Sequence, residues 1–398
     1  MKRRDFIKTT AAAASVSILS AKTAFGATAN EKLRLGVIGC GGRGPWIGDL
    51  FEKNTNTKVV AVHDYFQDRV ERAGKKFSIG KENQFIGLGG YHELIASSVD
   101  AVAIISPPYF HPDQAVAAIE AGKHVYLAKP VAVDVPGCMK IVAAANKVAD
   151  KQSVLVDFQT RNNEFFRGAA QRIHEGILGD PVLGQCFYYA GRLGKQSKRD
   201  DDVGRLRNWV FDIALSGDII VEQNIHVLDV MNWYLQGHPV SAVGAGGRKA
   251  RVDVGDCNDH FALQYNYPND VIVDFSSAQF THGISDLCIR LMGSEGTVDS
   301  HYGGDVSIRG KKKGWPGGNT GQIYQQGAVN NMIDFCASIQ TGEYLNNALE
   351  AAHSTMTSIL GRTAAQTGER VTWDELIATN ETLDAKLDLP ADGPELVG

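Results

Sequence analysis

The chain reads as an α/β protein: a doubly wound parallel sheet comes first, then an α+β domain with a large open, mostly antiparallel sheet. Three observations carry this. An apolar run from Leu33 to Ile38 feeds directly into Gly39-Cys40-Gly41-Gly42-Arg43-Gly44. Short apolar strands then alternate with helical patterns as far as residue 157. Beyond a helical stretch broken by Gly and Pro, the pattern changes to strands joined by turns. At 398 residues the chain exceeds what one small core needs. The expected organisation is a targeting segment (1–30), a first domain (31–157), a second domain (158–375) and a tail (376–398).

The N-terminal segment differs in kind from the rest. MKRRDFIK places Arg3 beside Arg4, an apolar and small-residue stretch follows from Ala11 to Ala21, and small residues recur to Ala29. That is a charged start, a modest apolar core and a cleavage zone. RRDFIK resembles a twin-arginine export signal, which predicts a periplasmic protein. The apolar run is too short and too interrupted to span a bilayer, so no stable membrane insertion is expected. Forty basic against forty-five acidic side chains, net −5, argue against a nucleic-acid partner. The densest basic run, Arg309 to Gly314, sits among glycines and reads as a solvated hairpin turn. Six widely spaced cysteines form neither a metal clip nor a disulfide framework, and are expected to be buried thiols.

In the first domain each element has a local reason. The glycine series is GxGxxG between a strand and a helix. Gly39 allows the tight turn, Gly41 lets the backbone approach a pyrophosphate, and Gly44 permits close packing, with Gly42 and Arg43 completing the loop. The helix start supplies unpaired N–H groups and a favourable dipole. The strand TKVVAVHDY ends at Asp64, whose carboxylate suits an adenosine ribose and repels a 2′-phosphate, favouring NAD over NADP. Arg69 either flanks the adenine or pairs with Asp64. Pro107 and Pro108 stiffen a strand-end loop and Lys129-Pro130 closes the next strand, both at the edge where open α/β sheets bind ligands. A flavin domain would share the glycine loop but accounts less well for the Lys-Pro turn.

In the second domain a helix over 218–235 carries VEQNIHVLD. Glu222 and His226 stand at i and i+4, and Asp229 lies one turn further on. A solvated hydrogen-bonded pair explains this, and so does a catalytic pair aimed into a cleft. No further donors complete a metal ligand set. A nicotinamide dehydrogenase needs a base for the hydroxyl proton. Lys129 at the sheet edge is placed to stabilise an alkoxide, and His226 to share or perform the proton transfer, oriented by Glu222 or Asp229.

The glycine-rich start, Asp64-x4-Arg69, Pro107-Pro108-x-x-His111, Lys129-Pro130 and the Glu222/His226 helix occur in one order over residues 32 to 375. In this order they resemble the glucose–fructose oxidoreductase/inositol dehydrogenase/rhizopine-catabolism (Gfo/Idh/MocA) family. The resemblance implies a Rossmann domain, a large sheet used in dimer or tetramer contacts, and NAD(P)-dependent oxidation of sugars, inositols or polyols. It implies cofactor contacts at Gly39, Gly41, Gly42, Arg43, Gly44, Asp64, Arg69, Pro107, His111 and Lys129, with catalysis by Lys129, His226 and Glu222. The family's Glu before the Lys is Ala128 here, and its helix Asp is Glu222. Export is the third departure, because most dehydrogenases of this class are cytoplasmic, and it poses a problem because soluble NAD is scarce outside the cytoplasm. A tightly bound cofactor carried through in the folded protein and regenerated in place resolves this. Sugar-pocket candidates are Arg161, Asn163, Arg192, Arg207, Trp209 and His226. A redox-neutral glycoside hydrolase or lyase acting through a 3-keto intermediate is the alternative, its second base drawn from Tyr188, Tyr189, Tyr324 or His301. A catalytically silent carbohydrate-binding protein on the same fold is a third reading.

Overall fold

The structure, a computed structural model, describes residues 31–394. The expected targeting segment lies outside the described residues. The first domain runs β1 (Leu33–Ile38), α1 (Arg43–Asn54), β2 (Thr57–Asp64), α2 (Gln67–Phe77), β3 (Gln84–Ile86), α3 (Gly90–Ala96), β4 (Ala101–Ile104), α4 (His111–Glu120), β5 (His124–Ala128), α5 (Val135–Asn146) and β6 (Val154–Asp157). Its strands form one parallel sheet in the order β3-β2-β1-β4-β5-β6. The strands AVAI of β4 and VLVD of β6 are buried throughout, as parallel strands covered on both faces must be. Strand order reverses between β1 and β4, and there the carboxyl ends of the strands open a crevice.

The second domain follows with α6 (Glu164–His174), β7 (Pro181–Tyr189), α7 (Asp202–Arg207), α8 (Ile213–Ser216), α9 (Ile219–Glu222) and α10 (Ile225–Leu235). Next come β8 (Ser241–Gly247), β9 (His260–Asn266), β10 (Ile272–Ala278), β11 (Asp286–Gly293), β12 (Gly296–His301), β13 (Asp305–Gly310) and β14 (Trp315–Asn319). The chain closes with α11 (Ile323–Thr341), α12 (Ala348–Thr367), β15 (Val371–Thr372) and α13 (Trp373–Thr379). Nine strands form one open sheet, β14-β13-β12-β11-β7-β10-β9-β8-β15, antiparallel except for the β7–β10 pair. Its inner face buries Leu263, Tyr265, Val273, Phe275, Ile289 and Leu291 in one core with Met231 and Tyr234 of α10 and Met356 and Leu360 of α12. The basic run does form the β13–β14 turn. All six cysteines are buried and unbridged.

One expectation about the helices is corrected. The helix over 218–235 is broken: α9 ends at Glu222, Gln223 and Asn224 form a turn, and α10 starts at Ile225. Near the end of the chain, α11 returns to the N-terminal domain. There Ala328, Val329, Met332 and Phe335 of α11 pack with Leu35, Ile47 and Phe51. The tail also returns: Leu88 N donates to Ala391 O at 2.8 Å, and Leu383 N to the Asp134 carboxylate at 2.9 Å. Sequence order therefore hides that the first domain is completed by residues far beyond 157.

Candidate active site

The glycine loop is built for close backbone approach. Gly39 has φ +91°, and a Cβ there would sit 2.6 Å from Ser106 N. A Cβ on Gly44 would lie 1.8 Å from Gly39 O, so only glycine lets α1 start against the loop. No side chain caps α1, which leaves its first-turn N–H groups free to meet phosphate oxygens. Asp64 ends β2 with its carboxylate fixed by Cys40 N at 2.7 Å and Phe66 N at 3.0 Å. Arg69 stands 3.9 Å from it, with its guanidinium over the Phe66 ring. Gly39, Asp64, Phe66 and Arg69, with Pro107 and Leu206, line a cleft of about 430 Å³, its open mouth included. The cradle fits a dinucleotide: glycine where a Cβ would fill the space, free N–H groups at a helix start, and a carboxylate at the ribose end.

Two of the expected cofactor residues are placed differently. His111 is buried beneath the site, with Nδ1 2.8 Å from Pro130 O and Nε2 2.9 Å from Ser106 O. It braces the Lys129-Pro130 turn against the β4 loop and does not line the cleft. Arg43 reaches across to the end of β6, where Nη2 lies 2.5 Å from Asp157 Oδ2, and Nη1 donates to Tyr324 Oη at 2.6 Å. Burial opposes its charge, but Asp157 and Tyr324 outweigh burial and raise its pKa.

Burial pushes the His111 pKa down to about 4 from an ordinary 6.5. The neutral ring therefore belongs to the folded state, and the unfolded chain takes up the proton first as pH falls. Stability from this residue is complete above pH 6.5 and drains away between 6.5 and about 4, by about 3 kcal/mol in all. Melting temperature followed over that window should fall less steeply in His111→Asn than in the parent.

Lys129, at the carboxyl end of β5, donates to the Glu222 backbone carbonyl and to its carboxylate, 3.2 Å away. Both side chains are largely buried. His226, in the first turn of α10, is buried, and its Nδ1 has no hydrogen-bond partner among the described residues. Burial, then the charges of Lys129 and Arg43, hold its pKa well below the ordinary histidine range. Its ring packs near Tyr302 and Phe158, with centroids at 5.4 and 6.4 Å. A neutral imidazole beside an ammonium at a sheet edge is a proton acceptor next to an oxyanion stabiliser.

The expected orientation of His226 by Glu222 or Asp229 is not what the fold produces. Because the helix breaks after Glu222, its carboxylate turns to Lys129. Asp229 is taken by Arg161, with both contacts at 2.9 Å, and by Ser354 Oγ at 2.8 Å. Arg161, expected in the sugar pocket, thus neutralises a carboxylate whose side chain is 1% exposed. Arg161→Ala should cost about 3 kcal/mol by stranding that charge, read as a lowered denaturation midpoint.

The other sugar-pocket candidates separate as well. Asn163 caps α6, accepting from Phe165 N and Phe166 N. Arg192 pairs with Asp253 at the surface. Arg207 bonds Asp68 at 2.7 Å and lies over Phe66, and Trp209 packs in the cluster of Tyr65, Phe66 and Leu206, at the cofactor end. Of the four second-base candidates, Tyr188 faces Glu222 and Tyr324 holds Arg43, whereas Tyr189 and His301 lie on the sheet's outer face. Asp157, Gln159 and Tyr302 join the site without having been singled out. Tyr302 Oη donates to Gln159 Oε1 at 3.2 Å, and Gln159 Nε2 to Asp157 at 3.1 Å. Asp157 had a signal, since it ends an apolar strand at the ligand edge just as Asp64 does. Tyr302 had none, because strand pairing alone brings it to His226.

Residues 33–157 match the model of the Gfo/Idh/MocA oxidoreductase family with its NAD-binding Rossmann fold, and 166–299 match the Gfo/Idh/MocA C-terminal domain. The chain belongs to the Gfo/Idh/MocA family. Similar members include the inositol 2-dehydrogenase of Azotobacter vinelandii, 31% identical over 53% of this chain and 56% of that one. That of Pseudomonas savastanoi is 26% identical over 71% and 78%. The matched region thus spans just over half the Azotobacter relative. Among solved structures, an oxidoreductase domain protein from Kribbella flavida shares the fold with TM-score 0.72 and 16% identity, covering 86% of this chain and 99% of that one. A levoglucosan dehydrogenase in complex with NADH and levoglucosan has TM-score 0.70 at 17% identity, with the same coverage. Residues 33–157 hold the glycine loop, Asp64 and Lys129, and residues 166–299 hold Glu222 and His226.

Proposed function

We propose that this family member is an NAD-dependent oxidoreductase that removes hydride from a hydroxyl-bearing carbon of a sugar, polyol or glycoside. The observation that carries the reading is Lys129, held by Glu222 at the carboxyl edge of β5, close enough to a neutral His226 to lower its pKa. The glycine loop, Asp64 and the α1 N-terminus would hold NAD, which supplies the hydride acceptor. The chain's residues handle the proton. With Nδ1 buried, Nε2 of His226 is the nitrogen left to accept from a substrate hydroxyl. The Lys129 ammonium donates to the same oxygen as negative charge develops there, and Glu222 fixes that ammonium in place. The inositol and levoglucosan dehydrogenases among its relatives support a polyol or pyranose-like substrate.

Tight cofactor retention is part of the proposal. It is supported by the wall that Leu206 adds to the cleft and by the tail, whose Ala385 packs with Phe66 and whose Ala391 carbonyl holds Leu88 N. Export is the remaining part, resting on the Arg3-Arg4 segment, with assembly as a homodimer or homotetramer. Incubating the purified protein with inositols, free sugars and a chromogenic glycoside tests the function. A rise in reduced nicotinamide with polyol or sugar is the expected outcome. Aglycone release with no net reduced cofactor would instead establish the redox-neutral glycosidase, and silence toward every substrate would overturn both.

A further inference from the structure

The second sheet turns one face to α10 and α12, and among the described residues no helix covers the strand pair β11–β12 on the other face. On that outer face, strand pairing gathers residues that are scattered in sequence. In the β11–β12 register Cys288 stands directly opposite His301, and Asp299 lies two residues along β12 on the same face. Cys288 Sγ is 3.7 Å from Asp299 Oδ1, and His301 Nε2 is 3.5 Å from that same oxygen. The three donor atoms all lie within 4.8 Å of one another. His301 turns its other nitrogen, Nδ1, to Asp286 Oδ1 at 2.8 Å.

We infer that Cys288, Asp299 and His301 form a binding site for a borderline divalent cation of the zinc type, with Asp286 as the residue that orients the imidazole. The two separations to Asp299 Oδ1 are close to a tetrahedron's edges, and the third lies within 4.8 Å. Zinc bonds of roughly 2.3 Å to sulfur and 2.0–2.1 Å to nitrogen or oxygen place neighbouring donors roughly 3.3–3.6 Å apart. The observed 3.5 and 3.7 Å contacts need only slight tightening. Donor chemistry points the same way: thiolate plus imidazole favours zinc or cobalt over magnesium or calcium, which take oxygen. A carboxylate on the non-ligating nitrogen fixes the tautomer and presents the Nε2 lone pair, the arrangement found around zinc-bound histidines.

Loading the site displaces one proton: the Cys288 thiol gives up hydrogen to solvent as its sulfur bonds the cation. Thiolate and the Asp299 carboxylate then balance the two positive charges, and water takes the fourth position. Arg290 now occupies Asp299 Oδ1, with Nε at 3.0 Å, and gives up part of that contact when the cation arrives. The site is separate from Lys129 and His226, which lie on the helix-covered side. Its ligands carry no sequence signature because Cys288 and the Asp299–His301 pair sit on two strands and meet only through the register.

Titrating the full-length protein with Co(II), and separately with Zn(II), tests the site. One equivalent per chain should bind, and Co(II) should produce a thiolate-to-metal charge-transfer band together with tetrahedral visible bands. Cys288→Ser and His301→Gln should each abolish the charge-transfer band while far-UV dichroism and dinucleotide binding persist, and Cys138→Ser should leave it intact. Asp286→Asn should weaken Co(II) binding about 10- to 100-fold with the stoichiometry kept. Absence of the band in the parent protein, or its survival in Cys288→Ser, would overturn the inference.

Discussion

Lys129→Ala should reduce turnover about 100- to 10,000-fold, the range over which a positioned proton-handling group or oxyanion donor acts. The ammonium is the strongest donor at the carboxyl edge of β5, and Glu222 holds it at 3.2 Å. Removing it takes away the charge that meets the developing alkoxide and leaves the glycine cradle untouched. Dinucleotide affinity should therefore change little while kcat falls. His226→Asn should show the complementary signature, a lost pH-dependent limb. Because burial and the neighbouring cations depress the His226 pKa, that limb lies on the acid side of the ordinary histidine range. Activity should stay flat as pH falls through 6.5 and decline only below it. Steady-state rates across pH for the two variants and the parent separate these roles.

Gly44→Ala should weaken dinucleotide binding about a hundredfold. Its new methyl group would fall 1.8 Å from Gly39 O, a backbone atom that cannot move aside without opening the turn. The displaced first turn of α1 would lose its aim at the phosphates. Two charge-assisted hydrogen bonds at about 1.5 kcal/mol each amount to about a hundredfold in affinity. Gly42→Ala is the matched control, because nothing lies within 4 Å of its added carbon. Fluorescence titration with NADH should find Gly42→Ala close to the parent and Gly44→Ala about a hundredfold weaker.

The first domain was legible because its signals are local. The strand into Gly39, the Asp64 that ends β2 and the Lys129-Pro130 turn each lie within a few residues of what they build. The site's far half was only partly legible. Glu222 and His226 were visible as a pair, yet their partners were misassigned, since the i,i+4 spacing assumed an unbroken helix that the Gln223-Asn224 turn interrupts. Asp229 and Arg161 were read as site residues because a charge in an apolar stretch signals function or a buried ion pair equally well. They turned out to be the latter. Arg207 and Trp209, read as sugar-pocket residues, were misplaced for another reason. They belong to the second domain in order and to the cofactor end in space, through Asp68 and Phe66.

The central claim is that this site moves hydride from a hydroxyl-bearing carbon to a nicotinamide while Lys129 and His226 handle the proton. A single-turnover reaction with a polyol deuterated at its hydroxyl-bearing carbons, followed by mass analysis of the recovered nicotinamide cofactor, tests it most directly. Deuterium on the cofactor in the parent protein, lost in Lys129→Ala at equal cofactor occupancy, is the predicted result. Substrate conversion with an unlabelled cofactor, or equal labelling in Lys129→Ala, would contradict it.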